Sequence, residues 1–399
     1  MRTALLTFDY PPVPTGLGQA ASEIAGGLSR QGVDVTVFTL DREGVERDEA
    51  TGAKVVGCKT EGGSWGDWVR ERAYLGHFVA PYRFFARYQD EVRHNGAFDV
   101  AEATNWYAPG LFLADGATPL VVRNSTPAIN AYTERSSLRD KTDLRFAHRL
   151  EAHTARKADG LISNAPHHRD KIIDAYALGT SGPHRVIALS LDDELIARGR
   201  SCPPPDFDAA PTFLFIGRAE KRKGFDEALG AFSRFHLAAE EGRKPGLIII
   251  GLAAGSLKER MKALGIEDDL RAGIEDLGRA GEQEKHDAFC RADFILAPSR
   301  YESYGIVYRE AAAYGRPLIA TRTDPSARDL LSAHPFGRLS RNCSASEIHR
   351  TMAEITAHPD RARAMRNIGM KHADSLRRER LGRETLVVYD EVLKRRGTI

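Results

Sequence analysis

The 399-residue sequence predicts an α/β protein of two open parallel sheets, each covered by helices and joined by a short linker. Three observations lead there. Short apolar runs alternate with longer polar, helix-forming stretches along the whole chain, the pattern of repeated βαβ units. A proline cluster, Ser201-Cys202-Pro203-Pro204-Pro205-Asp206-Phe207-Asp208, interrupts that alternation at mid-chain, and it can continue neither a helix nor a central strand. The length also exceeds one core at roughly 150 residues per domain, and 42% hydrophobic content suffices for two.

The first strand is read over Thr3 to Phe8, followed by a loop to Gly18, a helix over Gln19 to Arg30, Gly32 at the helix stop and a strand over Asp34 to Thr39. This is a βαβ opening. The aromatic and Arg stretch Trp65, Trp68, Arg70, Arg72, Tyr74, Phe78, Tyr82, Arg83, Phe84, Phe85, Arg87, Tyr88 suits either a membrane surface or a packed helix. Phe78, Tyr82 and Phe85 at helical spacing favour packing. Strands at Asp99 to Ala103, Leu120 to Arg123, Gly160 to Ser163 and Arg185 to Ala188 complete the first series. A second series follows the prolines: Thr212 to Ile216, Gly246 to Ile250, Ile274 to Leu277, Phe294 to Ala297 and Pro317 to Thr321. The tail from Arg361 to Arg396 is charged and helical, and its apolar stripe of Leu386, Val387, Tyr389 and Val392 needs a surface to cover. The predicted division is 1–198, a linker over 199–211, 212–375, and a terminal helix over 376–399. Two such domains place a ligand cleft at the carboxyl ends of their sheets.

Composition narrows the function classes. The net charge of +2 balances 57 basic against 55 acidic residues, so no global field recruits nucleic acid or a membrane. Met1 to Leu6 is too short for a secretory apolar core and runs into Asp9 and Pro11, and the longest later apolar run, near Gly246 to Gly255, is far below spanning length. The expectation is a soluble, cytoplasmic protein without membrane association, its oligomeric state left open. Cys58, Cys202, Cys290 and Cys343 lie far apart, without CxxC spacing or a His cluster, and fit a reduced cytoplasm and no metal site. His167-His168 and His148/His153 are read as exposed helix histidines. Asp206-Phe207-Asp208 matches a metal-binding D-x-D, but its place in the proline-rich segment makes it structural.

The most informative stretch is Pro298-Ser299-Arg300-Tyr301-Glu302-Ser303-Tyr304-Gly305-Ile306-Val307-Tyr308-Arg309-Glu310-Ala311. A strand ends at Pro298-Ser299 and a helix runs from Ile306 until Gly315 and Pro317 stop it, so Glu302 is on the connecting loop and Glu310 a little over a turn inside. Backbone N–H groups of Ser303, Tyr304, Gly305 and Ile306 at the helix start favour an anion such as a phosphate, and Glu310 could accept ribose hydroxyls. Directly after the strand at Thr212 to Ile216, Gly217-Arg218-Ala219-Glu220-Lys221-Arg222-Lys223-Gly224 brackets four cations with two glycines. Arg218 offers a planar fork and Lys223 a point charge, together able to neutralise a diphosphate leaving group without a metal. Both features point to a sugar-nucleotide site.

These residues resemble the family 4 retaining glycosyltransferases of the GT-B fold, two Rossmann-like domains facing across a cleft. The family signature is a Glu-x7-Glu pair and a Gly-Arg-x4-Lys-Gly loop, matched here by Glu302/Glu310 and by Gly217-Arg218 with Lys223-Gly224, and the similarity covers nearly the whole chain. The resemblance implies that Arg218 and Lys223 meet the donor diphosphate, Glu310 the ribose and Glu302 the transferred sugar. It further implies that Leu277-Gly278-Arg279 meets the base and that the terminal helix crosses back to the first domain. The donor would be a UDP or GDP sugar and the acceptor a small soluble molecule, with no cofactor. The loop Pro11 to Gly18 supports a phosphate approach, Gly16 and Gly18 letting backbone N–H groups come close.

One position departs from the family. Where relatives carry Arg-Leu-His-Thr-Pro near the reaction centre, this chain reads Arg123-Asn124-Ser125-Thr126-Pro127. Ser125 can hold a sugar hydroxyl but is no base at neutral pH. A front-face transfer, in which the leaving phosphate oxygen takes the acceptor proton, does not require the His. Asn105, Trp106, Asn124 and Ser125 are the acceptor-side candidates. The alternatives are a silent nucleotide-sugar-binding protein, an S-glycosyltransferase acting on a thiol or thione, and another GT-B enzyme such as a phosphorylase or epimerase. A specialised-metabolite, antibiotic-type role is one reading of Ser125. Gly16-Leu17-Gly18-Gln19-Ala20-Ala21 with Asp41 also fits a dinucleotide fingerprint, but prolines separate Phe8 from Gly16, where that fingerprint needs a tight turn.

Overall fold

A computed structural model gives the fold and describes residues 1–13, 15–59, 76–131, 138–179 and 182–397. Trp65, Trp68, Arg70, Arg72 and Tyr74 of the aromatic stretch lie outside the described residues. The chain divides into two compact units, Met1–Ser190 with Arg377–Ile399, and Leu191–Leu376.

The first unit is built on an eight-stranded sheet in the order β3-β4-β2-β1-β5-β6-β7-β8. Its strands are β1 (Arg2–Thr7), β2 (Asp34–Thr39), β3 (Val45–Arg47), β4 (Lys54–Gly57), β5 (Val100–Thr104), β6 (Leu120–Asn124), β7 (Gly160–Ser163) and β8 (His184–Val186). All pair in parallel except β3 with β4. Runs such as Ala4-Leu5-Leu6 and Val121-Val122 are buried throughout, because helices cover both faces of a parallel sheet. Helices α1 (Gly16–Ser29), α2 (Gly76–Asn95), α3 (Leu138–Lys157) and α4 (Pro166–Tyr176) supply that cover. α1 starts three residues before the predicted Gln19, because the Thr15 side chain caps it by accepting from the Gly18 N–H at 3.0 Å. In α2 the packed pair is Phe84 and Tyr88, while Tyr82 is 60% exposed, so the apolar face is rotated from the predicted one.

The second unit holds a six-stranded parallel sheet, β11-β10-β9-β12-β13-β14. Its strands are β9 (Thr212–Ile216), β10 (Gly246–Ile250), β11 (Ile274–Asp276), β12 (Phe294–Leu296), β13 (Leu318–Thr321) and β14 (Gly337–Ser340). Its helices are α5 (Asp193–Ser201), α6 (Phe225–Ala238), α7 (Ser256–Ala263), α8 (Glu282–Arg291), α9 (Ile306–Ala313), α10 (Pro325–Ala333), α11 (Ala345–Thr356) and α12 (Pro359–Asp374). The division between units falls at Ser190, before α5, rather than in the proline cluster. The reason is packing: a Cβ on Gly199 of α5 would stand 2.6 Å from the Ala313 carbonyl oxygen at the end of α9.

One cysteine expectation is corrected here. Cys202 and Cys290 are not reduced but form a disulfide, with His286 Nε2 3.5 Å from Cys290 Sγ. The fold closes an 88-residue separation that spacing could not reveal. Cys58 and Cys343 are free. His168 is fully buried rather than exposed, whereas His153 is exposed.

The tail forms two helices, α12 and α13 (Arg378–Arg396). α13 belongs to the first unit, where Leu381, Val388, Tyr389, Val392 and Leu393 are buried and Val387 is half exposed. It crosses α1 at a glycine pair: a Cβ on Gly382 would meet the Gly27 carbonyl oxygen at 1.9 Å. Arg378 grips Glu23 of α1 with two hydrogen bonds, at 2.9 and 2.7 Å. Among the described residues no helix is long and apolar enough to cross a membrane.

Candidate functional site

In the second unit the strand order reverses between β9 and β12, which are direct neighbours. Loops leaving the carboxyl ends of two such strands form the ligand crevice of an open α/β sheet. Here they are Gly217–Gly224 and the 297–305 segment, the two stretches the sequence singles out. They lock at Gly224, whose φ is +69°; a Cβ there would stand 2.3 Å from the Pro298 carbonyl oxygen. Only glycine takes this conformation and this approach cheaply.

The Glu302 carboxylate is the hub. It accepts from Lys223 Nζ at 2.6 Å, Ser299 Oγ at 2.8 Å and Arg222 Nη1 at 3.1 Å. Burial favours the neutral acid, but the Lys223 and Arg222 charges outweigh it and hold Glu302 below its ordinary pKa. Its own N–H donates to Asp324 Oδ1 at 2.9 Å. Asp324 is fully buried and also accepts from the Tyr308 hydroxyl at 2.7 Å and from the N–H groups of Ser326 and Ala327, which open α10. Burial pushes this carboxyl up.

Glu310, buried on α9, accepts from Lys285 Nζ of α8 at 2.6 Å. Burial disfavours the ammonium, but Glu310 reverses that and raises the Lys285 pKa. Gly305 caps α9 in the left-handed region, so Ile306 is the first helical residue. Tyr304 is buried under the Arg309 guanidinium, 3.9 Å over its ring, and its carbonyl accepts from Arg309 and from Ser326 Oγ. Ser303 is half-buried beside it. At the neighbouring strand ends, Leu277 N–H donates to Ile249, Gly278 accepts from Gly251 N–H at 2.6 Å, and Arg279 is exposed. Arg218 is 73% exposed and pairs with Glu220 at 2.9 Å; it does not reach Glu302, where Arg222 stands instead. Sequence reasoning missed Arg222, Ser299, Asp324, Lys285 and Tyr308. Asp324-Pro325-Ser326 is a helix-start signal, whereas nothing near Lys285 marks it.

In the first unit the order reverses between β1 and β5, which brings the Gly16 and Gly18 end of α1 and the Asn105-Trp106 turn to the same edge. Asn105 is buried. Its Oδ1 accepts from Ser125 N–H at 2.6 Å and Ser125 Oγ at 2.8 Å, and its Nδ2 donates to the Tyr176 hydroxyl at 2.7 Å. Tyr176 donates onward to Glu151 at 2.9 Å. His168 Nε2 lies 3.2 Å from the Ser125 carbonyl oxygen, and burial pushes its pKa down to about 4. The neutral ring therefore donates there at pH 7. Asn124 Nδ2 reaches Ser163 Oγ at 3.2 Å, while the buried Oδ1 atoms of Asn124 and Asn164 have no hydrogen-bond partner among the described residues. A recess of about 40 Å³ opens beside them, lined by Thr7, Leu17, Arg123, Asn124, Ser125 and Asn164. Trp106 is half-buried, its ring 5.1 Å from Tyr107.

Two sequence decoys resolve. Asp41 of the dinucleotide fingerprint is engaged by Tyr10 N–H at 2.7 Å and by Arg42. In Asp206-Phe207-Asp208, Phe207 is a core residue and Asp208 pairs with Arg363.

Residues 204–372 match the family described as glycosyl transferases group 1, and residues 15–189 match the glycosyl transferase 4-like domain. Glycogen synthase of Mycobacterium tuberculosis is 24% identical over 335 residues, covering 80% of this chain and 78% of that protein. The sucrose-phosphate synthase structure from Thermosynechococcus elongatus superposes with a TM-score of 0.75 at 18% identity over 99% of both chains. The Anabaena protein HepE, solved with UDP and glucose, gives a TM-score of 0.63 at 15% identity over 100% of both.

Proposed function

The chain is a glycosyltransferase of the GT-B type, and from that premise we propose a retaining, metal-independent transfer from a nucleoside diphosphate sugar, UDP or GDP linked, to a small soluble acceptor. The observation that carries the proposal is the Glu302 hub beside Glu310, at the point of the second sheet where strand order reverses. Lys223 and exposed Arg218 neutralise the departing diphosphate, which is the work a metal would otherwise do. Lys223 has three donors and only one is needed by Glu302, so phosphate oxygens can share it. Glu310 takes the ribose hydroxyls, with Lys285 Nζ paired to its carboxylate. Glu302 faces the transferred sugar. The N–H groups of Ser303 to Ile306 and the Gly217 turn meet the phosphates, and Leu277, Gly278 and Arg279 meet the base.

Asn105, Trp106, Asn124 and Ser125 are the proposed acceptor-side residues. Ser125 Oγ is already committed to Asn105, so no base is assigned to it; the leaving phosphate oxygen takes the acceptor proton on the front face. That commitment also favours two further readings, a silent nucleotide-sugar-binding protein or a thiol or thione acceptor that ionises unaided. No cofactor is assigned, and the protein is placed in the cytoplasm on the same proposal.

Calorimetric titration of wild type and Glu310→Ala with UDP, GDP, ADP, dTDP and NAD in EDTA tests the donor class. One nucleoside diphosphate should bind, and more weakly to the variant. Binding of NAD alone would overturn the reading. NMR of the product anomeric proton then decides retention, and donor binding without hydrolysis or transfer to any acceptor would establish the silent reading.

A further inference from the structure

We propose that Cys202 and Cys290 form a reversible thiol–disulfide exchange site that reacts with low-molecular-weight disulfides and thiols, and whose state sets how firmly α8 presents Lys285 to Glu310. The first half stands on the cysteine geometry alone. The second rests on the reading of Glu310 as the ribose carboxylate.

The disulfide joins Cys202, immediately after α5, to Cys290 near the end of α8. Cys202 is 7% exposed and Cys290 half-buried, so Cys290 is the more accessible partner for an external thiolate. His286, one turn earlier on α8, holds Nε2 3.5 Å from Cys290 Sγ and Nδ1 3.0 Å from the Tyr314 hydroxyl. An imidazole at that distance takes the thiol proton and leaves the thiolate, the nucleophile of exchange.

What makes the site reversible is Arg316. This fully buried guanidinium donates to the carbonyl oxygens of Phe289 at 2.8 Å, Cys290 at 2.9 Å and Pro203 at 3.0 Å. It therefore keeps the backbone beside the two cysteines close when the sulfurs part, while the disulfide adds the covalent restraint that fixes α8 against the chain after α5. After reduction the thiols remain neighbours, and reoxidation needs no search.

The chemistry balances. In oxidation the Cys290 thiolate attacks a disulfide RSSR and expels one thiolate RS⁻, leaving a mixed disulfide on Cys290. The Cys202 thiolate then attacks the Cys290 sulfur and expels the second RS⁻. Two protein protons end on two RSH molecules, and two electrons pass from the cysteines to the reagent. Reduction is the reverse.

Coupling runs along α8. Lys285 stands five residues before Cys290 on the same helix, and the Phe289 ring stacks on Tyr314, at the end of α9, with 4.4 Å between centroids. The helix that carries the exchange site thus also carries the cation on Glu310 and packs beside the helix that holds it.

The test uses the full chain, equilibrated in EDTA with graded ratios of reduced to oxidised glutathione, quenched in acid, alkylated and mapped by mass spectrometry. A single transition confined to the Cys202 and Cys290 peptides is expected, with Cys58 and Cys343 alkylated throughout. His286→Gln should slow exchange at neutral pH by roughly tenfold and, because the imidazole no longer stabilises the reduced thiolate, move the transition toward a more reducing glutathione ratio. Free thiols at every ratio, or only intermolecular disulfides, would overturn the site, as would an unchanged exchange rate in the variant for the role of His286. Wild-type protein in each state is then titrated with UDP, so that no variant has to fold. Affinity in the reduced state should fall by roughly fivefold. Equal affinity in both states overturns the coupling. No UDP binding in either state overturns UDP as the donor nucleotide and leaves the exchange result standing.

Discussion

A buried carboxylate stays charged only where cations face it, and Glu302 has two within 3.1 Å. Lys223 is common to that pair and to the proposed diphosphate site, so Lys223→Ala should lower kcat by roughly 10²–10³, about 2.7–4 kcal/mol. Steady-state rates with a UDP or GDP sugar check this, and a change confined to donor KM would contradict it. Asp324 belongs to a different class, because it holds the Glu302 backbone rather than any substrate. Asp324→Ala leaves the Glu302 N–H, the Tyr308 hydroxyl and the first N–H groups of α10 without their acceptor. Each buried orphan costs about 1–3 kcal/mol, so the unfolding free energy should fall by at least one such increment, read as a lower urea midpoint by circular dichroism with the tryptophan-fluorescence midpoint unchanged. The Glu302/Glu310 pair and the Lys223 loop are legible in the sequence because their spacing is local. Asp324 and Lys285 are not, since they lie 22 and 25 residues from their partners and acquire a role only when β13 and α8 pack beside β12 and α9.

Strands announce themselves in this chain wherever both faces are covered, because burial then demands an uninterrupted apolar run. All eleven predicted strands have counterparts in the fold, and three strands among the described residues are absent from the prediction. β3 reads Val-Glu-Arg and is wholly exposed, and β14, Gly-Arg-Leu-Ser, carries no apolar run; β4, Lys-Val-Val-Gly, is no shorter than β7 and its length does not account for the miss. Helix faces were harder. The terminal stripe holds at Tyr389 and Val392 but takes Val387 for Val388, since adjacent valines leave the phase of a 3.6-residue period undecided. The glycine crossing of α1 and α13 was invisible altogether. A Cβ on Gly382 meets backbone, not a side chain that could turn away, so Gly382→Ala should force the helices apart at a cost of about 1–3 kcal/mol. Thermal unfolding together with proteolysis near Ser375–Arg377 checks it; an unchanged melting temperature would show that the crossing is looser than described.

For the whole molecule, acid should act on the two units unequally. In the first unit burial holds His168 and His184 at about 4, below the ordinary value of 6.5. Between those values the unfolded chain binds the protons and the folded one does not, so stability rises with pH there. The contribution is complete above 6.5 and is lost as pH falls through about 4, amounting to ~3 kcal/mol by linkage for fully buried His168 and less for half-buried His184. In the second unit His334 and His349 are lowered by burial but are only half-buried, and the depressed Glu302 loses its contribution only as pH falls below the ordinary carboxylate range. The first unit should therefore weaken more between pH 7 and pH 5. Tryptophan fluorescence makes the difference observable, because residues 191–376 contain no tryptophan and Trp106 is half-buried in the first unit, so it reports that unit's unfolding while circular dichroism reports both. The urea midpoint by fluorescence should fall from pH 7 to pH 5, ahead of the circular-dichroism midpoint. His168→Gln, which keeps a donor toward the Ser125 carbonyl without a titrating ring, should flatten that fall. A fluorescence midpoint that is constant over this range, or a variant that keeps the wild-type slope, would show that His168 is not the group whose protonation opens the first unit.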